Sequence, residues 1–224
     1  MQDEFPIVEE ISPVPDAASV FRALAGLPGC LFLDSALQHP QLGRYSFLTA
    51  DPFAWFDTAR DLDALSRLDA ILAGFSTQRR ADLPPFQGGA AGLFGYDLNR
   101  CFERLPAPRC DAFQVPQLAI GLYDVVLAID HVSQRAWLVS QGFPELEPAR
   151  RRRRARARLK EFRGRLEGDE NPRADRRQPH SPRRCEPVSK ERLTPQYVTG
   201  GPAGLTSNFS EAAYRQAVQR IVDY

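Results

Sequence analysis

The chain has 224 residues, 43% of them apolar and 25% charged, with a formal net charge of +1. Such a composition supports one domain of ordinary core size with an appendage, or two small domains, and excludes a disordered or collagen-like chain. No apolar run approaches the roughly 18 residues of a membrane span, and the acidic start MQDEFPIVEE lacks the apolar stretch of a secretory signal.

Asp16 precedes Ala17, Val20, Phe21 and Leu24, with Gly26 beyond. This is an N-cap followed by one apolar helical face and a closing glycine. Cys30–Leu33 reads as a short buried strand, Arg44–Thr49 as a second, and Phe53–Phe56 as the start of a third after the Asp51-Pro52 turn. Leu62, Leu65, Leu68, Ile71 and Leu72 form a helical stripe ending at Gly74. Gly88–Tyr96 (GGAAGLFGY) reads as a strand that another backbone or a ligand approaches closely. Leu118–Asp130 is one long β-branched run with Ala136–Ser140 as its hairpin partner. Many strands, two good helices and no regular βα alternation predict an α+β fold: an antiparallel β-sheet with flanking helices.

Net charge hides an asymmetry. Residues 1–148 hold 10 Arg against 19 acids, a balance of −9, whereas 149–184 hold 14 Arg and one Lys against 5 acids, a balance of +10. Ala149–Leu166 has helical periodicity, with Ala155, Leu159, Phe162 and Leu166 on one side and arginines elsewhere. The simple reading packs the Leu159/Phe162 stripe on the body, with arginines meeting the body's acids. Nucleic acid is not expected here, because no aromatic platform interleaves the arginines and the acidic body repels phosphate. Gly168–Pro187 is Pro- and Arg-rich and is expected to be a disordered linker. Ser210 caps a last helix over Glu211–Asp223, whose apolar pattern is still running at Tyr224; the chain is expected to stop inside a further domain, and its unpartnered apolar surfaces, Leu118–Ile129 included, to be partly exposed.

Chemistry-bearing motifs are sparse. Cys30, Cys101, Cys110 and Cys185 form no CxxC pair and suit reduced thiols. His39, His131 and His180 are scattered and read as structural. No phosphate-binding loop, dinucleotide fingerprint or nucleophile elbow is present. By residue chemistry alone, the chain has no self-contained catalytic site.

Four ordered stretches carry a family resemblance: Leu31–Pro52 (LFLDSALQHPQLGRYSFLTADP), Pro85–Pro106 (PFQGGAAGLFGYDLNRCFERLP), Leu122–His131 (LYDVVLAIDH) and Leu205–Tyr224 (LTSNFSEAAYRQAVQRIVDY). Together they resemble the amino-terminal region of chorismate-utilising enzymes, the component I subunits of aminodeoxychorismate synthase and anthranilate synthase. The wording FLDSA…GRYSF, with Asp34 at the place of a glutamate in the anthranilate branch, points to the aminodeoxychorismate side. The resemblance implies three divisions: an amino-terminal domain over 1–148, an Arg-rich helix and linker over 149–204, and the first helix of a chorismate-binding domain over 205–224. It implies a cytoplasmic enzyme of folate or tryptophan synthesis that takes ammonia from a glutamine amidotransferase subunit. Its Mg²⁺ and chorismate ligands would lie in the remainder of the catalytic domain, so no catalytic or metal-binding residue is assigned to this chain. The resemblance also implies a tryptophan pocket at Ser35, Leu42, Gly43, Arg44, Tyr45 and Ser46, in which a serine hydroxyl meets the polar end of the ligand and the Tyr45 ring walls an indole. The rival expectation is a stand-alone module that binds tryptophan or docks on an amidotransferase.

Overall fold

The computed structural model describes residues 5–35, 37, 39–105, 115–168 and 196–224. The expected linker lies, from residue 169 onward, outside the described residues, as do His180, Cys110 and Cys185. Of the described residues, those in 5–103 and 116–168 form one compact unit, and 104–105, 115 and 196–224 form a second.

The first unit is α+β and holds two antiparallel sheets. The larger sheet orders its strands β1-β8-β7-β3-β2, using β1 (Ile7–Ile11), β2 (Leu31–Leu33), β3 (Tyr45–Thr49), β7 (Val125–Asp130) and β8 (Arg135–Ser140). The smaller orders β4-β6-β5, from β4 (Ala54–Thr58), β5 (Gly89–Phe94) and β6 (Leu118–Tyr123). Helix α1 (Ala17–Leu24) starts where the Asp16 carboxylate accepts the Ser19 N–H at 2.8 Å, as its sequence predicts. Its Val20 and Leu24 join Leu48, Leu127, Ile129 and Leu138 of the large sheet in one core. Helix α2 (Ala64–Ala73) lays Ala64 and Leu68 on Phe56, Ile120 and Leu122 of the small sheet in a second core. A short 3-10 turn, Tyr96–Cys101, adds Leu98 to it.

The run Leu118–Asp130, expected to be one strand, is two. Residues Leu118–Tyr123 pair with β4 and β5, and Val125–Asp130 pair with β3 and β8. The crossing point is Asp124. Its carbonyl accepts the Gln141 N–H at 2.7 Å, and its fully buried carboxylate lies 3.3 Å from Arg158 Nε and 3.4 Å from Arg154 Nε. A charged side chain between Leu122-Tyr123 and Val125-Val126 thus marks where the strand leaves one sheet for the other. The expected exposure of this run is also corrected. Leu118, Ile120, Leu122 and Val125–Ile129 are buried, because the two sheets carry their own helices and loops as cover.

Helix α3 (Pro148–Leu166) is capped by Glu147, which accepts the Ala149 and Arg150 N–H groups. Ala155, Leu159 and Phe162 are buried, the latter two in the core of the large sheet. Its arginines meet the acids of the body: Arg158 with Asp51 and Asp124, Arg163 with Glu9. Gly142 makes this packing possible. It has φ +72°, and a Cβ there would collide with the Arg151 carbonyl of α3.

In the second unit, β9 (Tyr197–Val198) pairs antiparallel with β10 (Thr206–Ser207). Helix α4 (Glu211–Val222) begins where Ser210 Oγ accepts the Ala213 N–H at 3.2 Å. Tyr214, Val218, Ile221 and Val222 of α4 are exposed. No helix among the described residues is long and apolar enough to cross a membrane.

Candidate functional site

The residues singled out by sequence gather around the start of β3 and the loop before it. That loop is tightly built. Ser35 Oγ donates to the Leu42 carbonyl at 3.4 Å, and His39 Nδ1 accepts the Gln41 and Leu42 N–H groups, each at 3.2 Å. Gly43 N–H returns to the His39 carbonyl, and a Cβ on Gly43 would fall on the Leu37 carbonyl, so only glycine fits. The Leu42 side chain is exposed.

Successive residues of a strand point to opposite sheet faces. Tyr45 and Phe47 therefore share one face of β3, and Ser46 and Leu48 share the other. The Tyr45 ring lies 5.8 Å from Phe47, and Phe47 meets the edge of Phe86 at 5.8 Å, a row of three aromatic side chains. Arg44 stacks over Tyr45 at 4.9 Å. Ser35, Leu42, Gly43, Arg44 and Tyr45 are thus near neighbours, but Ser46 directs its hydroxyl to the opposite face.

Arg44 is already engaged. Its Nε and Nη2 donate to both oxygens of Asp130, the shortest bond being 2.7 Å, and the Val132 and Ser133 N–H groups bind the same carboxylate. Burial pushes the Asp130 carboxyl up, but these bonds outweigh it and hold the pKa at about 2. A lowered carboxylate contributes stability that is present above 3.8 and lost as pH falls through about 2. Replacing Arg44 by Met is expected to lower stability at pH 7, by an amount limited by the guanidinium's exposure, and to shrink the loss of stability between pH 4 and pH 2. Urea titrations across that range measure both.

Sequence reasoning did not foresee a polar row that crosses three strands. Ser46 Oγ donates to Asp34 Oδ1 at 2.5 Å and lies 2.5 Å from His131 Nε2. Ser46 is buried, and Asp34 and His131 are exposed at its ends. Asp34 extends β2 opposite Ser46, and His131 follows β7, so antiparallel register brings them together. The signal was present: Asp34 adjoins Ser35, and His131 adjoins the Asp130 that Arg44 binds. The constellation has the residue types of a hydrolytic triad in the wrong order. The serine proton goes to the carboxylate, so the imidazole donates Nε2–H to the hydroxyl instead of removing its proton. The row orders the sheet edge and does not make a nucleophile.

Among the described residues no three His, Cys, Asp or Glu side chains converge as a metal-binding set. The described side chains therefore form no Mg²⁺ site. Cys30 and Cys101 are free thiols, and burial raises the pKa of Cys30.

The family model of chorismate binding enzymes matches residues 33–224, and the chain belongs to that family. It is 36% identical over 166 residues to aminodeoxychorismate synthase component 1 of Salmonella typhimurium, which covers 61% of this chain and 36% of the relative. To anthranilate synthase component 1 of Thermus thermophilus it is 35% identical over 147 residues, covering 66% of this chain and 26% of the relative. A crystal structure of anthranilate synthase component I from Streptococcus pneumoniae aligns with a TM-score of 0.42 at 20% identity, over 69% of this chain and 37% of that one. The chain spans about a third of the length of the first of these curated relatives.

Proposed function

We propose that this chain is the amino-terminal part of an aminodeoxychorismate synthase component I, the subunit type that converts chorismate to 4-amino-4-deoxychorismate. The observation that carries this reading is the 36% identity to the Salmonella typhimurium relative, accompanied by 33% to that of Escherichia coli. The wording around Asp34 and Tyr45 adds to it. The 35% identity to the Thermus thermophilus relative supports a second reading, the corresponding part of an anthranilate synthase component I.

On the first reading, a separate glutamine amidotransferase supplies ammonia, the protein is cytoplasmic, and Mg²⁺ and chorismate are held by a catalytic domain of which 205–224 is the first helix. The division at 1–148 and 149–204 belongs to the same proposal. The loop at Ser35–Tyr45 serves as a tryptophan pocket. There the Ser35 hydroxyl and the Leu42 carbonyl meet the ligand's ammonium and the Tyr45 ring faces the indole. Arg44 contributes through Tyr45, because Asp130 occupies its guanidinium.

The purified chain, given chorismate, ammonium and Mg²⁺, is expected to form neither aminodeoxychorismate nor anthranilate by chromatography. Measurable product from this chain alone overturns the reading. Calorimetry with L-tryptophan tests the pocket. Binding that weakens about tenfold in Ser35→Ala supports it, and no detectable heat with the unmodified chain removes it.

A further inference from the structure

Helix α3 carries nine arginines and one lysine against a single acid, Glu161. The fold uses part of this charge. Arg151 is sandwiched between the Phe5 and Phe143 rings at 4.1 Å from each, and Arg154 donates to the Phe143 carbonyl. Arg158, Arg163 and Arg165 hold Asp124, Glu9 and Glu161. These contacts belong to the buried side of the helix and its flanks.

The outer side is different. At 100° per residue, Arg153, Arg156 and Lys160 fall within about 60° of one another, their mean direction turned about 125° from that of Ala155, Leu159 and Phe162. All three are exposed, and none makes an ion pair among the described residues. The row, at positions i, i+3 and i+7, is about 10 Å long at 1.5 Å rise per residue. Ala149 and Ala157, also exposed, flank it with side chains too short to shield it. Like charges at these spacings repel each other along a helix. Glu161 does not relieve them, because it binds Arg158 and Arg165. Glu147, at the helix start, accepts the Arg150 and Ala149 N–H groups first and attracts Arg153 more weakly, so it relieves only that end of the row.

We infer that this face is a docking surface for an acidic protein segment whose carboxylates repeat at the same i, i+3, i+7 spacing. Charge complementarity selects an anion, and the geometry selects a short one. Three cations over about 10 Å match one carboxylate-bearing helical face. A nucleic-acid backbone would run off the row onto a body of net charge −9 (residues 1–148) within about one Debye length. The face also lacks the aromatic platform on which single-stranded bases stack. The inference rests on α3 alone and is independent of the proposed synthase reading.

The test uses the full chain and two labelled helical peptides of identical composition, one with Glu at i, i+3 and i+7 and one scrambled, beside a single-stranded oligonucleotide. Fluorescence anisotropy is expected to show the matched peptide binding at least about fivefold tighter than the scrambled one, with affinity falling between about 50 and 500 mM salt. The triple change R153E/R156E/K160E is expected to weaken binding at least about tenfold with little change in melting temperature, because these exposed side chains make no ion pair among the described residues and only Arg153 feels Glu147. The neutral triple change R153Q/R156Q/K160Q provides the same readout if charge reversal impairs folding. Equal affinity for the two peptides, tighter binding of the oligonucleotide, or undiminished binding by the neutral variant each overturns the inference.

Discussion

Replacing Arg158 by Met is expected to destabilise the protein by about 3–5 kcal/mol at pH 7, because it leaves a buried carboxylate without its main partner. Arg158 binds Asp124 at 3.3 Å and Asp51 at 2.8 Å, and Asp124 is fully buried where the chain crosses from β6 to β7. Burial raises the Asp124 carboxyl above its ordinary value, against the pull of Arg158 and Arg154. A carboxyl with a raised folded pKa favours folding most when protonated, and that contribution is lost as pH rises through the folded value. Removing Arg158 raises the folded value further. The penalty of Arg158→Met is therefore largest near neutrality and shrinks as pH falls toward 4, where Asp124 is increasingly neutral in both proteins. Adding Asp124→Asn removes the buried charge, so the double variant is expected to be more stable than Arg158→Met alone at pH 7. Denaturant melts at several pH values measure the cycle. A pH-independent penalty, or a double variant no more stable than the single, would show that Arg158 acts through packing alone.

The same carboxylate explains where sequence reading stopped short. Periodicity locates the buried run Leu118–Asp130 but cannot say which residues pair with which neighbours, and both halves are apolar because both lie in covered sheets. Only Asp124 breaks the pattern, and its partner lies 34 residues on. Strand β1 was missed for a related reason. Its IVEEI places Glu9 and Glu10 mid-strand, where Arg163 and Arg135 pair with them across long sequence separations. Local signals did better. Asp16 and Ser210 cap the helices they were expected to start, since a cap is a contact across three residues. The candidate pocket was legible as a list of neighbours from Ser35 to Tyr45. What the list could not contain was β3 parity, which sends Ser46 to Asp34 and His131, or the claim of Asp130 on Arg44.

Ending the chain at residue 147 is expected to abolish the cooperative melt. Helix α3 contributes Leu159 and Phe162 to the core beside Leu127, Ile129 and Leu138. Their burial is worth about 1.5–3 kcal/mol each. Loss of Arg158 leaves Asp124 buried and unpaired, at a further cost of about 3 kcal/mol or more. The total is comparable to the whole stability of a domain this size, about 5–15 kcal/mol. The truncated chain is expected to bind a hydrophobic dye and to lose amide protection along β7 and β8, whose face α3 covers. In the full chain, Phe162→Ala alone is expected to cost about 3–5 kcal/mol. A sharp two-state melt of the 147-residue chain would place α3 outside the folding unit and make its buried arginines accessory. A broad transition restored by extending the chain through Gly168 would make the helix an integral wall of the large sheet. In that case the exposed row Arg153, Arg156 and Lys160 is presented from a rigid element, as recognition of a spaced row of carboxylates requires.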